Sequence, residues 1–207
     1  VVAKNPIPPT LWSYNDDIVD YEYNPEKAKE LLKEAGYPDG FETNLWAMPV
    51  ARPYMFDPQK IGEAIQADLA NVGIKAKLVS YDWGTYLDKT EAGEHAMCLL
   101  GWTMDYPDPD NILYVLLDQD AATVGSAGNV AFYRNSKVHE LNMLARTTFD
   151  IEKRTEYYKE IQRIIHEDIP WVPLAHSEQM IVFKKNVKGF ALYPSGDYHF
   201  DTTYFEK

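Results

Sequence analysis

The sequence predicts an α/β fold, a mixed sheet flanked by helices. Three observations carry that prediction. After an opening helix, the first half of the chain runs strand, helix, strand, helix, strand, an order that favours a layer with at least partly parallel strands. The stretch AMCLLGW, residues 96–102, is apolar without alternation, as expected of an interior strand covered on both faces. No Gly/Ser linker, internal repeat or low-complexity tract divides the 207 residues, so they fit one domain or two small ones.

The elements come in order along the chain. The stretch to about Asn24 is rich in Pro, Tyr, Asn and Asp and has little periodicity. Asn24 and Pro25 supply an N-cap and a first-turn proline; Ala28, Leu31, Leu32 and Ala35 come next at helical spacing, and Gly36 closes the helix. FETNLWA alternates Phe41, Thr43, Leu45 and Ala47, a half-buried strand. Asp57 and Pro58 start a second helix, with Ile61, Ile65, Leu69 and Val72 on its apolar face and Gly73 at its end. IKAKLVSYD is the next strand, TYLDKTEAG a short helix and NILYVLL a brief one. Two amphipathic helices come after these. One carries Val138, Leu141, Leu144 and Ala145; the other carries Ile151, Tyr158, Ile161 and Ile165 and ends at Pro170. PWVPLA and QMIVF are expected as short strands. From Lys188 the tail holds Gly, Pro, Ser and aromatics in polar company.

Composition narrows the function classes. Apolar residues at 45% and charged residues at 25% are ordinary for a globular chain, so a sizeable core is expected. The net charge of −12, with no Lys/Arg-dense stripe to offset it, argues against nucleic acid and anionic lipid as partners. No apolar run approaches the ~18 residues of a membrane span. The opening VVAKNPIPPTLW has neither a starting Met nor a leader and reads as a mature or excised segment of a longer protein, which leaves room for a signal sequence upstream and says nothing of compartment. The single cysteine, Cys98, rules out an intrachain disulfide and fits a small buried apolar residue.

Catalytic signatures are missing. There is no GxSxG, P-loop or GxGxxG. His95, His139, His166, His176 and His199 show no HxxxH or HxH spacing, and each fits a surface or satisfied structural histidine. No catalytic residue, cofactor or metal is expected.

Two loops stand out. GWTMDYPDPDN, residues 101–111, places Trp102, Asp105, Asp108 and Asp110 at the exit of the apolar strand. It lacks the Gly and Glu of an EF-hand loop. Asp105 comes first after the strand, where α/β proteins place ligand contacts; Asp110 is the candidate cap of the next helix. Trp102 could pack on a ligand or fill the core. A carboxylate pair, Asp105 with Asp108, leaves a hydrolase open as an alternative. In AMPVARPYMFDP, residues 47–58, Pro53 would hold Arg52 in a fixed place, suited to gripping a carboxylate bidentately or to an ordinary turn.

Taken in order, NPEKAKELLKEAGY, ADLANVGIKAKLVSYDWGTYL, GWTMDYPDPDN, Asn129 with FYRNSKVHEL, and IPWVPLAHS resemble the C-terminal lobe of the family 5 extracellular solute-binding proteins, the peptide and nickel receptors of ABC importers. The resemblance runs along essentially the whole chain. It implies one lobe of a type II periplasmic-binding-protein-like clamp, with residues 1–187 as the ligand-binding lobe and 188–207 as a tail returning towards an N-terminal lobe. It also implies a non-catalytic, monomeric receptor, periplasmic or a cell-surface lipoprotein, whose partners are a peptide ligand and ABC transporter permease subunits.

In the family's dipeptide receptors an aspartate of the GWT…DPDN stretch pairs with the ligand's α-ammonium, and it falls on Asp105. An arginine of the MPV…RPY stretch pairs with the α-carboxylate, and it falls on Arg52. Trp102 and Tyr54 match positions close to these anchors. A free dipeptide is a zwitterion, and an unpaired buried charge costs several kcal/mol, so one fixed anion and one fixed cation would select free termini and short length together. Two departures from those receptors stand in this sequence: a cysteine pair is missing from QDAATVGSAGNVAFYRN, and MDYP surrounds the key aspartate. Keeping Arg52 favours dipeptides; a longer peptide or haem remains the alternative ligand.

Overall fold

The computed structural model describes residues 1–193 and 198–206. The chain runs through α1 (Pro25–Glu34), β1 (Phe41–Trp46), α2 (Pro58–Asn71), β2 (Ile74–Val79), α3 (Trp83–Glu91), β3 (Met97–Cys98), α4 (Asp110–Leu113), α5 (Ser136–Thr147) and α6 (Ile151–Asp168). It ends in short strands, β4 (Val187–Lys188), β5 (Ala191–Leu192), β6 (Tyr198–His199) and β7 (Tyr204–Phe205). The expected tail, 188–207, lies partly outside the described residues.

Local chemistry sets the helix ends. The side chains of Asn24 and Asp57 accept the N–H groups of Lys27 and Lys60, satisfying donors that the first turn leaves free. Ile169 takes a left-handed conformation, φ 47°, and Pro170 then stops α6. Between α1 and β1, Gly40 lies so close to Gly73 that a Cβ there would sit 1.9 Å from the Gly73 carbonyl oxygen. Glycine is therefore required where the chain turns into β1 beside its turn into β2.

The main sheet is parallel, in the order β2-β1-β3. β1 pairs with β2 from Phe41 opposite Ile74 to Trp46 opposite Val79. The pairs β4–β7 and β5–β6 are antiparallel, so both strand senses occur. The expected interior strand AMCLLGW contributes two residues to the ladder and stands at the sheet's edge; β1 is the central strand. Its apolar run is explained by packing, since Met97, Cys98, Leu99 and Leu100 all join the sheet-side core.

PWVPLA and QMIVF do not form strands. Pro170 and Pro173 cannot donate to a ladder, and among the described residues the only pairing there is an isolated bridge between Val2 and Ala175. Met180 and Val182 are 87% and 99% exposed.

Two cores result. One lies against the sheet and includes Leu45, Trp46, Met48, Met55, Ala76, Tyr86 and Leu99. The other joins the N-terminal stretch, through Ile7 and Leu11, to α4, α5 and α6, through Leu113, Val138, Leu141, Tyr158, Ile161 and Ile165. Cys98 sits in the sheet-side core, where burial pushes its thiol up to about 12. GWTMDYPDPDN crosses from one core to the other, with Leu99 and Leu100 just before it in the first and Met104 against the second.

Buried polar groups tie the cores internally. The Tyr86 hydroxyl, fully buried, lies 3.1 Å from the Trp46 carbonyl and 2.8 Å from the Leu99 carbonyl. The fully buried Asp118 carboxylate accepts from the Asn142 side chain at 2.8 Å and the Asp120 N–H at 3.0 Å, and meets His139 Nδ1 at 2.9 Å.

Both groups have measurable consequences for stability. Tyr86→Phe leaves a buried carbonyl without its donor and is expected to lower stability by about 1–3 kcal/mol in urea denaturation. His139 has its pKa raised, first by its hydrogen bond to Asp118. A histidine whose folded pKa lies above its unfolded one stabilises fully below about pH 6.5, and the contribution fades as pH rises through the folded value. The stability gap between the natural chain and His139→Asn should therefore narrow as pH is raised from about 5.5 to about 8.5. A gap independent of pH would mean that protonation of His139 adds nothing to its contact with Asp118.

Candidate ligand-binding site

The parallel sheet brings two loops to one edge. β1 and β3 run side by side, with Trp46 opposite Cys98, and the Leu99 N–H donates to the Trp46 carbonyl at 2.8 Å. The chain leaves β1 into the loop that carries Arg52 and Tyr54. It leaves β3 into the loop that carries Trp102 and Asp105. Both depart from the carboxyl ends of parallel strands, the usual place for ligand contacts in α/β sheets.

Arg52 to Met55 form a tight turn. Arg52 and Met55 exchange backbone hydrogen bonds, both 2.9 Å, and Pro53 occupies the turn position that its fixed φ suits. Met55 is buried in the sheet-side core and anchors the turn. The Arg52 guanidinium lies 4.1 Å from the centre of the Trp83 ring. Its Nε is buried without a hydrogen-bond partner, and no carboxylate pairs with it among the described residues. Trp83, the first residue of α3, in turn stacks on Tyr86 at 5.9 Å with the rings 12° apart. The aromatic face holds the cation without neutralising it.

Tyr54 is where the two loops touch. A Cβ on Gly101 would sit 2.3 Å from Tyr54 Cδ2, so glycine alone allows the ring to lie there. The half-buried phenol approaches the Met48 sulfur at 3.9 Å, and burial raises its pKa.

In the second loop three aspartates have three different environments. Asp108 is held by Arg154 from α6, whose Nη2 reaches both carboxylate oxygens at 3.0 and 2.9 Å. Asp110 lies 3.3 Å from Arg146 of α5 and accepts from the Tyr106 hydroxyl at 3.1 Å. Asp105 is exposed and pairs with no cation among the described residues. Its contacts are to Asn111. The Asp105 N–H donates to Asn111 Oδ1 at 3.1 Å, and Asn111 Nδ2 donates to Asp105 Oδ2 at 3.3 Å. Trp102, 43% exposed, donates its indole N–H to the same Asn111 Oδ1 at 2.9 Å.

Asp110 departs from its expected role. It does not cap α4, because it is the first residue of that helix and the flanking Pro109 has no side-chain cap bond. The Asp108 carboxylate accepts the Asp110 N–H instead, at 3.1 Å, while Asp110 serves the ion pair with Arg146. The loop is also fixed from the far side, since Trp12 donates to the Pro107 carbonyl at 3.2 Å.

The structure thus brings Tyr54 against the root of the Trp102 loop and Trp102 to Asp105 through Asn111, with Arg52 two residues from Tyr54. A surface depression of about 630 Å³ lined by Tyr54, Met55, Phe56, His176 and Glu178 includes none of Arg52, Trp102 or Asp105. Asn111, Trp83 and Arg154 were not singled out by sequence. Asn111 ends the GWTMDYPDPDN loop, and its type, a neutral donor and acceptor near an aspartate, was the available signal; nothing local marks the other two.

Asp108→Asn weakens the pair with Arg154, and denaturation should show a loss of about 1–3 kcal/mol. Asp105→Asn has no such partner to lose and should stay within about 0.5 kcal/mol of the natural chain.

The geometry has relatives. Residues 1–123 match the family described as bacterial extracellular solute-binding proteins, family 5 Middle. The chain is 46% identical over 206 residues to the dipeptide-binding protein of Escherichia coli (strain K12), covering 100% of this chain and 38% of that protein. It is 44% identical over 194 residues to heme-binding protein A of Haemophilus influenzae, covering 94% of this chain and 35% of that protein. A solved ABC transporter-associated periplasmic binding protein, DppA from Helicobacter pylori in complex with the peptide STSA, superposes with a TM-score of 0.84 at 39% identity, over 100% of this chain and 39% of that one. The chain therefore spans well under half the length of these relatives, and its α/β fold is that of one lobe of a periplasmic binding protein. It belongs to family 5 of the bacterial extracellular solute-binding proteins.

Proposed function

We propose that this chain is the C-terminal lobe of an extracytoplasmic receptor that delivers short peptides, dipeptides foremost, to the permease of an ABC importer. Asp105 takes the ligand's α-ammonium and Arg52 its α-carboxylate, with Trp102 and Tyr54 lining the space between. The receptor is monomeric and performs no chemistry on its ligand. Residues 188–207 form the tail that returns towards an N-terminal lobe, which supplies the opposite wall of the cleft. It is periplasmic or held at the cell surface by lipid.

The observation that carries this reading is the isolation of opposite charges on neighbouring loops. Asp108 and Asp110 each have an arginine, whereas Asp105 has none among the described residues. Arg52 is held by an aromatic ring and by no carboxylate among the described residues. A hydrolase built on Asp105 and Asp108 fits poorly, because the Asp108 carboxylate is engaged by Arg154 on both oxygens. The names of the Escherichia coli and Helicobacter pylori relatives support a peptide ligand.

Calorimetry on the complete receptor tests the proposal. Removing one partner of an enclosed charge pair costs about 2–5 kcal/mol, roughly 30-fold or more in affinity. N-acetylation of a dipeptide and Asp105→Asn should each weaken binding by about that factor, and the two together by little more. C-terminal amidation and Arg52→Ala should behave likewise at the other end. Affinity unchanged by N-acetylation would overturn the Asp105 assignment. Equal affinity for peptides of two and five residues would replace dipeptides by longer peptides. Haem, which has propionates and no ammonium, would bind independently of Asp105.

A further inference from the structure

Asn111 is 2% exposed, yet its side chain makes three hydrogen bonds, all to the loop that carries Asp105. Its oxygen accepts from the Trp102 indole at 2.9 Å and from the Asp105 N–H at 3.1 Å. Its nitrogen donates to Asp105 Oδ2 at 3.3 Å. Its own backbone N–H donates to the Asp108 carbonyl at 3.0 Å, which seats it on the turn clamped by Arg154.

From this geometry we infer that Asn111 is a positioning residue for the ammonium end of the site, locking Asp105 and Trp102 into one unit while leaving the Asp105 charge unspent. The inference rests on the receptor reading given above. A short amide side chain suits this position physically. It offers an acceptor with two lone pairs and a donor, and carries no charge. A lysine or arginine would neutralise Asp105, as Arg146 and Arg154 do for its neighbours. An aspartate would accept from Trp102 and from the Asp105 N–H but would set a second anion beside Asp105. An apolar residue would leave the indole N–H and the Asp105 N–H without this shared acceptor.

The readout is selectivity rather than affinity. In the complete receptor, the ratio of affinities for a free dipeptide and its N-acetyl form reports on Asp105, and the ratio for the free dipeptide and its C-terminal amide reports on Arg52. Asn111→Ala should reduce the first ratio at least tenfold and leave the second within twofold. A variant that lowers both ratios alike, or neither, overturns the inference. If the natural receptor itself shows no preference for the free amine, the receptor reading fails instead, and the two failures are distinguished. Should Asn111→Ala not fold, the near-isosteric Asn111→Asp serves. Two adjacent carboxylates raise one another's pKa, so its affinity for the free dipeptide should depend on pH more steeply than the natural receptor's. A level profile in that variant overturns the inference as well.

Discussion

The buried hydroxyl of Tyr86 is the contact on which the site depends. β1 and β3 pair over only two residues, too short a ladder to fix the loops beyond it. The hydroxyl sits within reach of the Trp46 carbonyl, the last of β1, and of the Leu99 carbonyl, just past β3. The Trp46 carbonyl already receives the Leu99 N–H, so the single hydroxyl proton goes to Leu99 at the shorter distance. The root of the Trp102 loop is thereby pinned to a core side chain, and the Leu99 N–H ties it to the end of β1. The ring of the same tyrosine supports Trp83, and Trp83 supports the Arg52 guanidinium. Tyr86 thus bears on both the support of the cation, through Trp83, and the root of the Trp102 loop, through Leu99.

Rigidity on the other loop comes from a different source. Two prolines restrict its backbone, but prolines alone do not orient a side chain. Trp12 fixes the Pro107 carbonyl, Arg154 fixes Asp108, and Arg146 lies against Asp110. Each anchor comes from the helical core, while the loop begins on the sheet-side core. The loop is stretched between two packed bodies, and Asn111 joins its beginning to its end. Acidic neighbours that would otherwise repel one another are separated by assigning each its own partner.

Much of the fold was legible because it rests on local signals. Asn24-Pro25 and Asp57-Pro58 place helix starts, and Pro170 places the end of α6, each through a bond or a clash within a few residues. The strand positions of PWVPLA and QMIVF misled, since apolar residues in an extended stretch resemble a strand whether or not a neighbour exists to pair with it. The proposed site was visible as two unusual loops, and the ordered resemblance assigned roles to Asp105 and Arg52. What sequence could not give were pairings made by packing. Arg154 and Asp108 are 46 residues apart, and nothing in either neighbourhood marks the other. The same holds for Trp83 beneath Arg52. Asp110 looked like a cap because caps are common before helices; the arginine of α5 drew it to another use.

The net charge of −12 would suggest a lobe that repels any carboxylate and welcomes any amine. At physiological ionic strength, however, exposed charges are screened over about 8 Å, so a ligand in the proposed cleft would sense the few groups beside it. Within the GWTMDYPDPDN loop, three aspartates and two incoming arginines leave one negative charge uncompensated. In the ARPY turn, one positive charge is left on an aromatic support. The proposed receptor would therefore present to its ligand a local pair of opposite charges that the composition hides. Partial neutralisation achieves this where a simple acidic loop would not. Were Asp108 and Asp110 free, the loop would offer three competing sites for an ammonium and no defined distance to Arg52. In the proposed receptor, sparing a single aspartate would leave two points of opposite charge, and discrimination by ligand length requires such a pair.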